Sequence, residues 1–426
     1  MRKILMIFVV LICIVGGVFV ILWESGMFGE SAGGRRSVDN DITEKSPDVS
    51  DNADAADKTT SETIDPNADE KPVDTTETTE DAVSELVDKT MAEMSLHDKV
   101  CQMMFVTPEG LTGTDDVMVA GDATKQALQA YPVGGIIYFA NNFDNVDQTR
   151  DMISNTQSYS KIGLFIATDE EGGRVNRIMD TLGTTYIGPM YDYKDDGPDA
   201  AFENAKTIAS DMSALGFNLD FAPVADVWSN PDNTVIGDRA YSDDYAQAAE
   251  LVGSAVKGFQ DGGVICTLKH FPGHGDTAED SHYSSAYVNR TKAQIMADEM
   301  QPFRTGIDAG AELVMVGHLI VPDIDELPST LSYKIATEML RGDMKFDGVA
   351  ITDSMEMESI ADNYGVADSA VMAVQAGMDM LLQPADLAVA VNAIVTAVQN
   401  GDITEPRIDE SVRRILTLKA ERGLLE

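Results

Sequence analysis

Histidine, cysteine, tryptophan and positive charge are all scarce in this 426-residue chain: five His, three Cys, two Trp, and 30 Lys and Arg against 72 Asp and Glu. The shortage of positive charge leaves a net charge of −42 and argues against a nucleic-acid partner, because a phosphate backbone needs Lys and Arg to displace its counterions. Cys13, Cys101 and Cys266 form no CxxC pair and no even-numbered set, so neither a disulfide framework nor a metal–thiolate site is indicated. Cys13 lies in an apolar run, and the other two are expected as small buried hydrophobes. Hydrophobic residues are not scarce. At 44% they suffice for a large core, either two average domains or one large barrel with extensions.

Composition divides the chain into three pieces. Residues 4–23, "ILMIFVVLICIVGGVFVILW", carry no charge. About twenty helical residues span a hydrocarbon core of roughly 30 Å, so residues 1–23 read as a transmembrane anchor rather than a cleaved signal peptide, whose apolar region would be shorter. Arg2 and Lys3 precede the run and an acidic stretch follows it, which places the N-terminus in the cytoplasm and the rest outside. Residues 24–84 are rich in Asp, Glu, Thr, Ser, Ala and Pro and cannot bury enough apolar surface to offset their ordering entropy; they read as a disordered acidic linker. Residues 85–426 have the texture of a globular domain.

In that third piece eight short apolar runs alternate with amphipathic stretches: "QMMFV" (102–106), "GGIIYF" (134–139), "GLFIAT" (163–168), "NLDFAPV" (218–224), "GVICTLKH" (263–270), "ELVMVGH" (312–318), "GVAITDS" (348–354) and "DMLLQP" (379–384). Buried strands alternating with helices call for a parallel sheet, and eight of them favour a single α/β fold of the closed (β/α)8 type, with no internal repeat. Working residues of such a barrel stand at the C-terminal ends of strands and in the loops that follow. Asp169-Glu170-Glu171-Gly172-Gly173-Arg174 follows the third run, Asp226 and then Asp238 and Arg239 follow the fourth, His318 ends the sixth, and Asp353 ends the seventh. Caps and turns account for Asp226 or the paired glycines. They account poorly for Lys269, His270, His318 and Asp353, each joined directly to a buried strand, where an unpaired polar group is costly.

Three of the five histidines fall in "KHFPGHGDTAEDSH" (269–282). A metal site built from His270, His274, Asp276 and His282 is one reading, but no helical HxxxH is present and the Gly-Pro-Gly content leaves ligand geometry unspecified. Proton transfer is the stronger one. Asp280-Ser281-His282 offers a histidine with an acidic partner to fix its tautomer. A His–Asp acid/base opposite a strand-end carboxylate, Asp353, suits displacement at an anomeric or similar carbon. His274 reads as a hinge-loop or packing residue.

The segments "KHFPGHGDTAEDSH", "DEEGGRVNR" (169–177), "NLDFAPVADV" (218–227), "GDRAYSDD" (237–244) and "ITDSMEM" (351–357) resemble the β-N-acetylglucosaminidase branch of glycoside hydrolase family 3, in order, over about Leu86 to Glu426. The resemblance implies that Asp353 is the nucleophile of a retaining reaction, that His282 is the general acid/base with Asp280 as its partner, and that Asp169, Arg239, Lys269 and His270 grip the terminal sugar. Arg174 and His318 join the expected substrate-binding set. Ala240 and Tyr241 depart from the Ser and Phe of the pattern but leave Arg239 in place. The segment after the eighth run suffices for closing helices alone, so the acid/base is expected from the barrel.

The expected function is thus an extracytoplasmic, membrane-tethered exo-hydrolase that removes β-linked N-acetylglucosamine, with peptidoglycan fragments as substrate and no metal or other cofactor, working as a monomer. Two alternatives remain open. A phosphorylase of the same family is one, because a histidine repels incoming phosphate less than a glutamate would; an inactive cell-wall-binding module on a stalk is the other.

Overall fold

In a computed structural model of the chain, residues 75–277 and 286–426 are described. The expected anchor and nearly all of the linker lie outside these residues, as do Asp280 and His282. Among the described residues no helix is long and apolar enough to cross a membrane.

All eight apolar runs form parallel strands. They are β1 (Met104–Val106), β2 (Gly135–Ile137), β3 (Phe165–Thr168), β4 (Leu219–Asp220), β5 (Thr267–Phe271), β6 (Leu313–Val316), β7 (Val349–Thr352) and β8 (Leu381–Leu382). β8 pairs with β1, and β1 through β4 pair in order; β5 pairs with β6 and β6 with β7. Parallel bridges Leu219↔Ile265 and Val224↔Lys269 join β4 to β5, and Ile351↔Met380 joins β7 to β8, so the ring closes. Each of these eight strands is buried along its length, as expected for strands covered by helices outside and by packed side chains within. Phe105 of β1 and Phe221 beyond β4 meet across the interior with ring centroids 5.3 Å apart.

Helices return the chain between strands, and side-chain caps start several of them. Asp244 accepts from Gln247 N at the head of Tyr245–Asp261, and Asp386 from Val389 N at the head of Leu387–Asn400. The return from β6 is a π-helix, Lys334–Asp343. Cis peptides occur at Ala222–Pro223, Lys269–His270 and Phe271–Pro272.

The expected linker boundary is corrected here. A helix covers Thr75–Glu93, ten residues into the stretch read as disordered. Val83, Leu86, Val87 and Met91 recur at helical spacing and pack on the core, and Arg413 of the final helix, Glu405–Glu421, pairs with Asp88 at 2.7 Å. Thr and Glu dominate the first turns and mask that apolar stripe in a compositional reading.

Candidate active site

Charged residues that the sequence scatters over more than 180 positions converge on one cavity of about 810 Å³ at the C-terminal ends of the strands, where Asp169, Glu171, Arg177, Arg239, Lys269, His270 and Asp353 all contribute to the lining.

One pivot organises its charged side. Glu171, three residues past β3, accepts from Arg239 through both carboxylate oxygens at 2.8 Å each and from Lys269 Nζ at 2.6 Å. Lys269 also reaches Asp169 at 2.8 Å. Burial alone would raise the Glu171 carboxyl, but the two cations outweigh it and hold it well below the usual carboxylate range. Burial likewise opposes charge on Lys269, and Asp169 with Glu171 more than restores it, so the ammonium stays charged. The result is a row of alternating acidic and basic groups with fixed positions, suited to gripping sugar hydroxyls.

Glu170 ties the loop behind this row. Its carboxylate accepts from the backbone N–H groups of Arg177, Ile178 and Met179 at 2.7, 2.9 and 3.2 Å, turning the chain back toward the cavity. Arg177 is thereby set 3.8 Å from Asp169, with its guanidinium 5.6 Å over the Phe139 ring. Its Nε is buried with no hydrogen-bond partner among the described residues. Sequence reading passed over Arg177 and chose Arg174, three residues earlier. Arg174 lines the cavity, but its guanidinium is largely committed elsewhere: Nε donates to Asp238 at 2.9 Å and Nη2 to the carbonyls of Thr234, Val235 and Ile236 at 2.8–2.9 Å. It staples the segment that presents Arg239.

Asp226, read from sequence as an ordinary cap, positions the histidine segment. Its carboxylate accepts from His270 Nδ1 at 2.6 Å, from His270 N at 3.1 Å and from His274 N at 2.6 Å. Burial would raise this carboxyl, but His270 keeps it ionised and low. The hydrogen bond from Nδ1 to this carboxylate fixes the orientation of the His270 ring. His274 packs as expected: burial pushes its ring down to about 4 against the pull of Asp226, and its Nδ1 meets Thr277 Oγ1 at 2.8 Å. Asp353 is close enough to the His274 ring to oppose that shift. Gly275 must be glycine, since a Cβ there would stand 1.6 Å from the Val227 carbonyl oxygen.

Asp353 follows β7. Its N–H donates to Val316 O at 2.9 Å, and its Oδ1 accepts from Ser354 N at 2.8 Å. His318 requires a correction. It does not line the cavity; it is buried beside it, with Nε2 donating to the Ser354 carbonyl at 2.8 Å and Nδ1 2.8 Å from Thr330 Oγ1. A polar side chain at a strand end can be satisfied by neighbouring loops as well as by a ligand, and here the loops satisfy it. Among the described residues no group of three His, Cys, Asp or Glu side chains is disposed to hold a metal ion.

The family model for the glycosyl hydrolase family 3 N-terminal domain matches residues 95–418. The chain belongs to glycosyl hydrolase family 3. Among its relatives, it is 33% identical to a beta-hexosaminidase A of Pseudoalteromonas piscicida across 70% of this chain and 55% of that protein. It is 34% identical to a beta-hexosaminidase of Idiomarina loihiensis across 68% of this chain and 88% of that one. Among solved structures, a glycoside hydrolase family 3 beta-N-acetylglucosaminidase from Paenibacillus sp. str. FPU-7 superposes with a TM-score of 0.72 at 38% identity, covering 78% of this chain and 63% of that one. The chain thus spans little more than half of the first relative and nearly all of the second. Family 3 membership together with the β-hexosaminidase names of these relatives points to a glycosidase.

Proposed function

We propose that this family 3 barrel is a retaining exo-β-N-acetylglucosaminidase that removes terminal non-reducing β-linked N-acetylglucosamine through a covalent bond to Asp353. The observation that carries this reading is the placement of Asp353 in the same cavity as the Asp169–Lys269–Glu171–Arg239 row and His270. The row, with Arg177, binds the hydroxyls of the terminal sugar and so fixes its anomeric carbon above the Asp353 carboxylate. Asp353 attacks that carbon while the leaving oxygen takes a proton; water then receives the sugar, which restores the β configuration. His282 is the proposed proton donor and later the base, with Asp280 stabilising its cationic form; both lie outside the described residues. The residues that hold the sugar contribute by position and electrostatics.

Residues 1–23 are proposed to anchor the chain in the cell membrane, with the linker that follows carrying a monomeric barrel on the extracytoplasmic side. Peptidoglycan fragments are the proposed substrates there.

An aryl β-N-acetylglucosaminide assayed against the corresponding β-glucoside, followed by trapping of the labelled aspartate, tests the assignment. Asp353→Ala is expected to abolish turnover. His282→Ala is expected to retain binding and lose about 10²–10⁴ in rate on poor leaving groups. Wild-type rates in either variant on an unactivated disaccharide would remove the assignment, and a sugar 1-phosphate formed in phosphate buffer would identify a phosphorylase instead.

A further inference from the structure

The cavity lining is chemically two-sided. The row of acidic and basic groups comes from β5 and the loops after β3 and β4, whereas the β2 and β6–β8 side sets Phe139, Met315, Met357 and Leu382 beside the carboxylates Asp353, Glu356 and Glu358. On this second side stands Gln383, the one carboxamide among the described lining residues. Its backbone is unusual: φ is +48°, the left-handed region that glycine adopts readily and other residues rarely do. Pro384 follows it, and a residue before proline is ordinarily driven to extended geometry. A side chain kept in such a conformation at the edge of a cavity points to use of that side chain.

The backbone at this point is held from both neighbouring strands. Gln383 N donates to Phe105 O of β1 at 2.7 Å. Leu382 N donates to Thr352 Oγ1 of β7 at 3.0 Å, and Met355 N donates to Leu382 O at 2.9 Å. Gln383 is therefore pinned beside the strand end that carries Asp353. Its carboxamide has no hydrogen-bond partner among the described residues, so donor and acceptor are both open to a ligand.

We infer that Gln383 is a specificity-determining residue that reads the 2-acetamido group of the sugar, an inference resting on the function proposed above. The acetamido group sits on the carbon next to the one Asp353 attacks, so a group that reads it must stand close to Asp353. A carboxamide matches it at two points, its oxygen accepting from the acetamido N–H and its NH2 donating to the acetamido carbonyl. Leu382 and Met357 supply an apolar seat for the methyl. A 2-hydroxyl fills neither the second hydrogen bond nor that seat.

Gln383→Leu and Gln383→Gly test this with aryl β-N-acetylglucosaminide and aryl β-glucoside; the glycine variant suits the left-handed backbone and guards against misfolding. The ratio of kcat/KM for the two substrates is expected to fall about tenfold in both variants, the scale of one or two lost hydrogen bonds. Where glucoside turnover is too slow to read, inhibition constants for N-acetylglucosamine and glucose carry the same comparison. A wild type that prefers the acetamido substrate, with variants that keep that preference or lose both activities equally, overturns the inference alone. A wild type without the preference overturns the proposed function and the inference with it.

Discussion

Glu171 holds two cations that bind sugar in the proposed mechanism, and it is buried, as Lys269 is. Glu171→Gln keeps the shape and removes the charge, leaving Lys269 and Arg239 close together in a poorly solvated site. Breaking a buried pair in this way costs about 3–5 kcal/mol, because the partner charges remain without full compensation. Urea denaturation should show that loss, together with a lower kcat/KM on the aryl substrate. Unchanged stability would mean that Asp169 alone neutralises the cluster.

The helix Thr75–Glu93 is an integral part of the barrel's packing, although its sequence begins like the linker. Val87 and Met91 are 1% and 7% exposed and pack on the core, and the final helix pairs with this one through Arg413 and Asp88. Burying two such side chains contributes roughly 3–6 kcal/mol as an upper bound. Deletion of residues 1–74 is expected to leave the melting temperature of the barrel unchanged, whereas deletion of residues 1–93 should lower it by several degrees or leave the protein insoluble. Equal melting temperatures for the two truncations would show that the helix is dispensable.

Stability of the whole molecule should depend on pH through Lys419, a buried lysine on the last helix that accounts for nothing in catalysis. Its Nζ donates to Gln102 Oε1 at 2.8 Å and lies 5.0 Å from the Phe165 ring centre, and among the described residues it makes no ion pair. Burial pushes its ammonium down to about 7. In the unfolded chain the same group titrates near 10.4, so between about pH 7 and 10 the unfolded state binds the extra proton. Raising pH through that window therefore stabilises the fold, by up to about 1.4 kcal/mol per unit; below pH 7 the full penalty for burying the lysine applies. Urea midpoints measured from pH 7 to 10 should climb more steeply for wild type than for Lys419→Met. Parallel slopes would show that Lys419 does not carry the effect.

Most of the architecture was legible along the chain. The eight apolar runs, their Gly and Pro boundaries and the polar residue at each strand end depend on local pattern, and the closed ring follows because such strands must be covered on both faces. Asp169, Lys269, His270 and Asp353 were legible for the same reason, each standing at or just beyond a strand end, whereas Arg239 lies far along the loop after β4 and was legible through the family motif around it. What pattern left undecided were choices between near-equivalent side chains. Arg174 and Arg177 differ in sequence by three positions, and the turn tied by Glu170 decides which of them faces Asp169. His318 looks like a site residue until Thr330 and the Ser354 carbonyl occupy its ring nitrogens. Asp226 looks like a cap until the histidine segment folds onto it through His270 and His274. The sequence by itself determined which residues could be charged or apolar at each strand end, since that is written in the order of side chains; only the tertiary structure decided which charges meet, because a partner hundreds of positions away is chosen by distance in space.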